Sequence, residues 1–223
     1  MRSRMATRGS DVPIAKIIWT GWLNDSKPMP DKLWPYVKSQ KLLGYEHRLV
    51  TLASPEWAQA LSESRYLREC AVAKNWVKAI DYFRFWLVYK YSGIWLDTDM
   101  EVLPGKNFDD LLHNRAFIAW EFNGFIANSS FGAEAGHPLW KKYMDRVERN
   151  FRGDGDLIFF VGMRCLTDCW WGEDFAGRHG VEVLSAEVFY PWNHMTGVTN
   201  VTPLTRVFHH FAKNWEPTEW KTV

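Results

Sequence analysis

Residues 93–104 read Gly-Ile-Trp-Leu-Asp-Thr-Asp-Met-Glu-Val-Leu-Pro. An apolar run meets three acids, Asp97, Asp99 and Glu101, at i, i+2 and i+4. Alternate residues of a strand share a face, so Asp97 and Asp99 stand together if the strand continues through them. Carboxylates on one face repel unless a cation lies between them. The pattern fits either a solvated strand end or a cation site. Mg²⁺ and Mn²⁺ take one or two carboxylates and complete their shell with phosphate oxygens and water. Asp-x-Asp therefore suits a metal-bound diphosphate, although the tripeptide alone is unspecific. Glu101 reads as a solvated residue past the strand end.

Working outward, the helix predicted over 70–91 carries two apolar stripes. Trp76, Ile80, Phe83 and Leu87 form one, and Tyr82, Trp86 and Tyr89 the other. Two stripes imply burial on most sides. Asp81 and Arg84 share a face of this helix at i, i+3. Charges on a buried helix need partners or a role. An Asp accepts hydrogen bonds from sugar hydroxyls, and an Arg binds carboxylates, hydroxyls or phosphates.

Further upstream, 15–19 reads as a strand and Asp31 opens a helix to about residue 43. Residues 45–52 read as a strand, and Ser54-Pro55 opens another helix. Strand and helix alternate, which predicts an α/β fold with a mainly parallel sheet flanked by helices. In such sheets ligands bind beyond the carboxyl ends of the strands. Downstream, 108–112 reads as a short helix, 116–121 and 125–131 as strands, and 138–151 and 157–171 as helices. A turn at 153–156 separates these two. Residues 181–188 alternate as a strand before a loop-rich tail. With no linker or repeat, 14–223 reads as one domain, preceded by a flexible arm or cloning remnant at 1–13.

Composition sets bounds. The chain has 223 residues and a net charge of +1, which gives no bulk pull toward nucleic acid. No apolar run is long enough to span a bilayer, and no signal-peptide core follows the N-terminus. Three cysteines, Cys70, Cys165 and Cys169, read as buried thiols in a reducing cytoplasm. The 14 tryptophans exceed ordinary usage and suit core packing with some stacking on flat ligands.

Taken together, Asp81-Tyr-Phe-Arg84 and Leu87-Val-Tyr-Lys-Tyr-Ser-Gly-Ile-Trp-Leu-Asp97-Thr-Asp99 resemble a glycosyltransferase signature. It is that of the sugar-binding DXD families: glycosyltransferase family 32 with its capsular-polysaccharide and mannosyltransferase-type members, and the clostridial glucosylating toxins. Ile14-Ala-Lys-Ile-Ile-Trp-Thr-Gly-Trp22, Phe189-Tyr-Pro-Trp and His209-His-Phe-Ala-Lys-Asn-Trp215 resemble its other motifs. The likeness runs over roughly residues 14–220, and its ordered set is more specific than any single motif.

The resemblance implies a GT-A type, Rossmann-like fold and retaining, hexosyltransferase-type chemistry with Mn²⁺ or Mg²⁺. The donor would be a UDP-sugar or GDP-mannose and the acceptor a glycan or other hydroxyl. Location would be cytoplasmic, peripheral to a membrane at most, within polysaccharide biosynthesis. By position, Trp22 would stack on the donor base, Asp81 and Arg84 would hold the sugar, and Asp97 and Asp99 would handle ribose and metal-diphosphate. His209 or His210 would be a further metal ligand, and Trp215 would brace the diphosphate or lid. Glu121 and Asn128 end strands that reach the same sheet edge. No side chain stands out as a covalent nucleophile, which favours front-face transfer. Trp19, Ile80, Ser92 and Trp95 depart from the family pattern. Two rivals use the same features: a metal-dependent nucleotide-sugar hydrolase, and a non-catalytic carbohydrate-binding protein.

Overall fold

The computed structural model describes residues 13–122, 124–151, 161–172, 178 and 180–212. The arm before Pro13, the turn expected at 153–156 and Trp215 lie outside them. A six-stranded sheet forms the centre, in the order β2-β1-β3-β6-β5-β7. Its strands are β1 (Ile17–Trp22), β2 (Glu46–Thr51), β3 (Gly93–Leu96), β5 (Ala116–Ala119), β6 (Ser130–Ala133) and β7 (Val181–Leu184). β1 runs parallel to β2 and β3, and β5 parallel to β7; β6 is antiparallel to both neighbours. A separate two-stranded ribbon pairs β4 (Met100–Val102) with β8 (Val207–His209). The parallel α/β expectation therefore holds for three of the five strand pairings within the central sheet.

The two faces of β3 seed different cores. Trp95 joins a core shared with the helices α2 (Pro55–Glu63), α3 (Arg65–Val72), α4 (Trp76–Tyr91), α5 (Pro138–Asn150) and α6 (Met163–Trp171). Ile94 and Leu96 join the opposite core with Phe108, Phe117 and Tyr190. Glu148 of α5 knits the helical side together by accepting from Ser64 Oγ, the Tyr66 amide and Tyr82 Oη.

The helix expected over 70–91 is two helices. Lys74 takes a left-handed φ of 53°, and the Asn75 side chain accepts from the Lys78 amide to restart the chain as α4. A second difference concerns 31–43. Here a 3-10 turn at Asp31–Leu33 leads into α1 (Trp34–Ser39), which ends short of residue 43. The acidic strand is divided as well. β3 stops at Leu96, the chain turns with the Met100 amide donating to Asp97 O at 3.1 Å, and β4 starts in another sheet. Asp97 and Asp99 thus meet across a turn, not along a strand face. The 125–131 strand begins late, at Ser130, and the loop-rich tail contributes β8.

A single corner joins α4 to β3. Ser92 holds φ 61° and Gly93 φ 113°. The Ser92 hydroxyl accepts from the Ala15 amide and donates to Ala133 O, both at 2.9 Å. A Cβ on Gly93 would come within 2.7 Å of Ile17 O, whereas one on Gly105, also at positive φ, would meet open space. Gly93→Ala should cost about 3 kcal/mol or more and Gly105→Ala about 1 kcal/mol, read from urea unfolding midpoints. Equal losses would show that close packing at the corner does not matter.

Candidate active site

The carboxyl ends of β1 and β3 and the chain leading into β6 open on one edge of the sheet. Arg84 lies beneath it, almost fully buried. Its Nη2 donates to Asp81 Oδ1 at 2.5 Å, Nη1 to Asn128 O at 2.7 Å, and Nε to Ile80 O at 3.2 Å. Nη1 also pairs with Asp97 Oδ1 at 3.2 Å. Asn128 Nδ2 donates to Asp81 Oδ1 at 3.0 Å, and Trp95 Nε1 to Asp97 Oδ1 at 2.6 Å. Burial pushes Asp81 up to about 6 against the pull of Arg84. Burial also raises Asp97, opposed by Arg84 and reinforced by the charge of Asp99.

Asp99 belongs to a second group of residues. Its carbonyl accepts from the His210 amide, its Oδ2 accepts from the Ala212 amide at 2.8 Å, and its Oδ1 lies 3.3 Å from His209 Nε2. Burial would raise Asp99, but His209 and the Ala212 amide hold it down at about 2. Burial would likewise lower His209, and the charge of Asp99 reverses this. Neighbouring histidines part ways: His209 faces Asp99, while His210 Nε2 meets Glu101 Oε2 at 2.9 Å and its ring stacks on Tyr36 at 4.0 Å. Glu101 is thus a partner of His210, not a purely solvated residue.

Among the described residues, no three His, Cys, Asp or Glu side chains converge into a ready-made metal cage. Two donors do meet, Asp99 Oδ1 and His209 Nε2. His209 Nδ1 is buried with no hydrogen-bond partner among the described residues. One hard carboxylate beside an imidazole fits an ion that brings its remaining ligands with a diphosphate and water.

Trp22 ends β1, its Nε1 donating to Lys27 O at 3.0 Å. It lines an open cleft of about 480 Å³ with Trp34, Met29, Leu49 and Thr51. Trp22 and Ala212 pack against the same small cluster of Met29, Leu33 and Val37, and the Ala212 amide caps Asp99. Gln40 escaped the sequence reading. Fully buried, its Nε2 donates to Asp97 O and Met100 O, both at 2.9 Å, and clamps the acidic turn. Tyr190, visible only as part of a Phe-Tyr-Pro motif, bonds the Ser129 and Ser130 hydroxyls beside Asn128.

The class defined by this fold and edge is a GT-A type nucleotide-sugar fold. Residues 26–118, which hold Asp81, Arg84, Asp97 and Asp99, match the glycosyltransferase sugar-binding region containing DXD motif. Inositol phosphoceramide mannosyltransferase 3 of Schizosaccharomyces pombe is 25% identical over 126 residues, covering 53% of this chain and 35% of its own. The chain therefore spans about a third of that relative's length. Among solved structures, the PaToxG glycosyltransferase superposes with a TM-score of 0.59 at 14% identity, over 72% of this chain and 69% of that one. A glycosyltransferase involved in the glycosylation of the major capsid of PBCV-1 gives 0.49 at 12% identity, over 86% and 92%. The PaToxG likeness shows the fold, and the family match lies on the stretch that carries the four charged residues.

Arg84→Met would leave Asp81 and Asp97 without their shared cation. The expected loss is about 3–5 kcal/mol of unfolding free energy by denaturant titration. Arg84→Lys should recover little of it, because an ammonium lacks the fork that reaches four acceptors. Full recovery by lysine would mean that charge alone holds the cluster.

Proposed function

We propose that this domain is a metal-dependent, retaining glycosyltransferase that moves a hexosyl group from a nucleotide-diphosphate sugar to an acceptor hydroxyl. The observation that carries the reading is the juxtaposition of two acid groups: Asp81 and Asp97 fixed by Arg84, and Asp99 facing His209. Trp22 and its cleft would take the donor base. Arg84 and Asn128 both bond Asp81 Oδ1, which leaves Oδ2 to accept from a hydroxyl of the donor sugar. Asp97 would meet the ribose. With four acceptors already on its guanidinium, Arg84 acts as a positioning residue that fixes both carboxylates.

Asp99 and His209 would hold Mn²⁺ or Mg²⁺, which when bound neutralises charge developing on the departing diphosphate. The acceptor oxygen bonds to the anomeric carbon on the face where the carbon–oxygen bond to the diphosphate breaks. Its proton passes to a departing phosphate oxygen. The name of the yeast relative favours a mannosyl group as the first choice of transferred sugar. Three buried free thiols support a reducing, cytoplasmic setting.

A thermal-shift screen of UDP-sugars and GDP-mannose with Mn²⁺ tests the reading. A donor at 100 times its Kd should raise Tm by about 5–10 °C. Asp99→Asn should keep the fold yet lower Mn²⁺-dependent nucleotide release on the order of 100-fold. Unchanged release in that variant would remove the metal assignment. Equal release with and without an acceptor, with no sugar transferred, would make the protein a hydrolase.

A further inference from the structure

Donor groups occupy the helical side of the sheet edge, and one aromatic feature beside them has no part in the reaction above. Trp171, the last residue of α6, leaves 60% of its surface in solvent. Its ring lies 6.0 Å from that of half-buried Trp120, with the planes 32° apart. The Arg178 guanidinium sits 5.2 Å from the Trp171 ring and 4.9 Å from that of Trp170. An indole this exposed leaves apolar area in water, while its neighbours hold it in place. The result is a shallow aromatic step with a cation on its flank.

The step is wired to the donor cluster. Trp120 pairs with Ile126 across an isolated bridge. The Ile126 amide donates to Thr167 Oγ1 at 2.8 Å, and Thr167 lies one turn before Trp171 on α6. Two residues past Ile126, Asn128 bonds Asp81. Two residues span at most about 7 Å and one helical turn about 5 Å. The step is thus joined to the Asp81 carboxylate through a short run of contacts.

We infer that Trp120 and Trp171 form an acceptor subsite that stacks against a pyranose ring of an oligosaccharide. The inference rests on the glycosyltransferase reading and names its acceptor class. A pyranose has one face of axial C–H bonds, which packs on an indole, and a rim of hydroxyls that an Arg can bond. Adjacency to the donor cluster sets the occupant: whatever lies there must present a hydroxyl to the transferred sugar. A protein partner would need an apolar surface far larger than one indole step.

Trp171 is exposed, so its replacement spares the core. The test titrates di- to tetrasaccharides of mannose, glucose and galactose into the protein and reads tryptophan fluorescence. At least one series should quench it saturably. Trp171→Ala should bind that sugar about tenfold more weakly, and Trp171→Phe should keep most of the affinity. Matching melting curves for the two variants separate this loss from misfolding. In a transfer assay Trp171→Ala should raise the KM for the same oligosaccharide more than it lowers kcat. No saturable response to any of the sugars, or equal affinity in Trp171→Ala, overturns the subsite. Nucleotide-sugar binding by the unaltered protein is read in parallel by thermal shift. Donor binding without oligosaccharide binding removes the subsite alone. Oligosaccharide binding without donor binding removes the transferase reading and leaves a carbohydrate-binding surface.

Discussion

The guanidinium of Arg84 is the constraint around which the rest is arranged. A buried cation is costly unless opposite charge and hydrogen bonds compensate it. Here they come from three parts of the chain: Ile80 and Asp81 on α4, Asp97 after β3, and Asn128 before β6. Each partner has to arrive for the others to be stable. The Ser92–Gly93 corner makes this possible, because one residue separates α4 from β3 and fixes their relative phase. With that phase set, residues 84 and 97 face each other across the edge.

The departures from the family pattern become intelligible as contacts. Trp19 and Ser92 are partners, since Trp19 Nε1 donates to Ser92 O at 2.8 Å. Ile80 and Trp95 are joined through a glycine: a Cβ on Gly21 would come within 2.9 Å of Ile80 Cδ1 and 2.8 Å of Trp95 Cη2. Trp95 adds a polar service by donating to Asp97. The four residues thus meet in two pairs, one through a hydrogen bond and one over a glycine.

Much of this was legible in sequence because it is local. Stripe periodicity gave α4, and the i, i+3 spacing put Asp81 and Arg84 on one helix face, where they pair at 2.5 Å. What sequence hid depends on residues far apart. Gln40 reaches Asp97 O across 57 positions, and nothing around Gln40 marks it as a clamp. The break at Lys74 rests on one left-handed residue within a helical pattern. The divided acidic strand was hidden for a related reason. Met100, Glu101 and Val102 have strand periodicity, and only their partner at 207–209 decides which sheet they join.

That division has a consequence for how the edge changes over time. Asp97 is tied to the main sheet through its amide bond to Ser129 O, and Asp99 to the ribbon through His210 and Ala212. Thr98 is the lone residue between two mechanical bodies. A change in the tail acts first on the surroundings of Asp99, and reaches the cradle around Asp81 through the charges that Asp97 feels. Substitutions in the core can do the converse. Two adjoining acids thus answer to separate stretches of sequence, joined by the Gln40 clamp and by the charge that Asp99 exerts on Asp97.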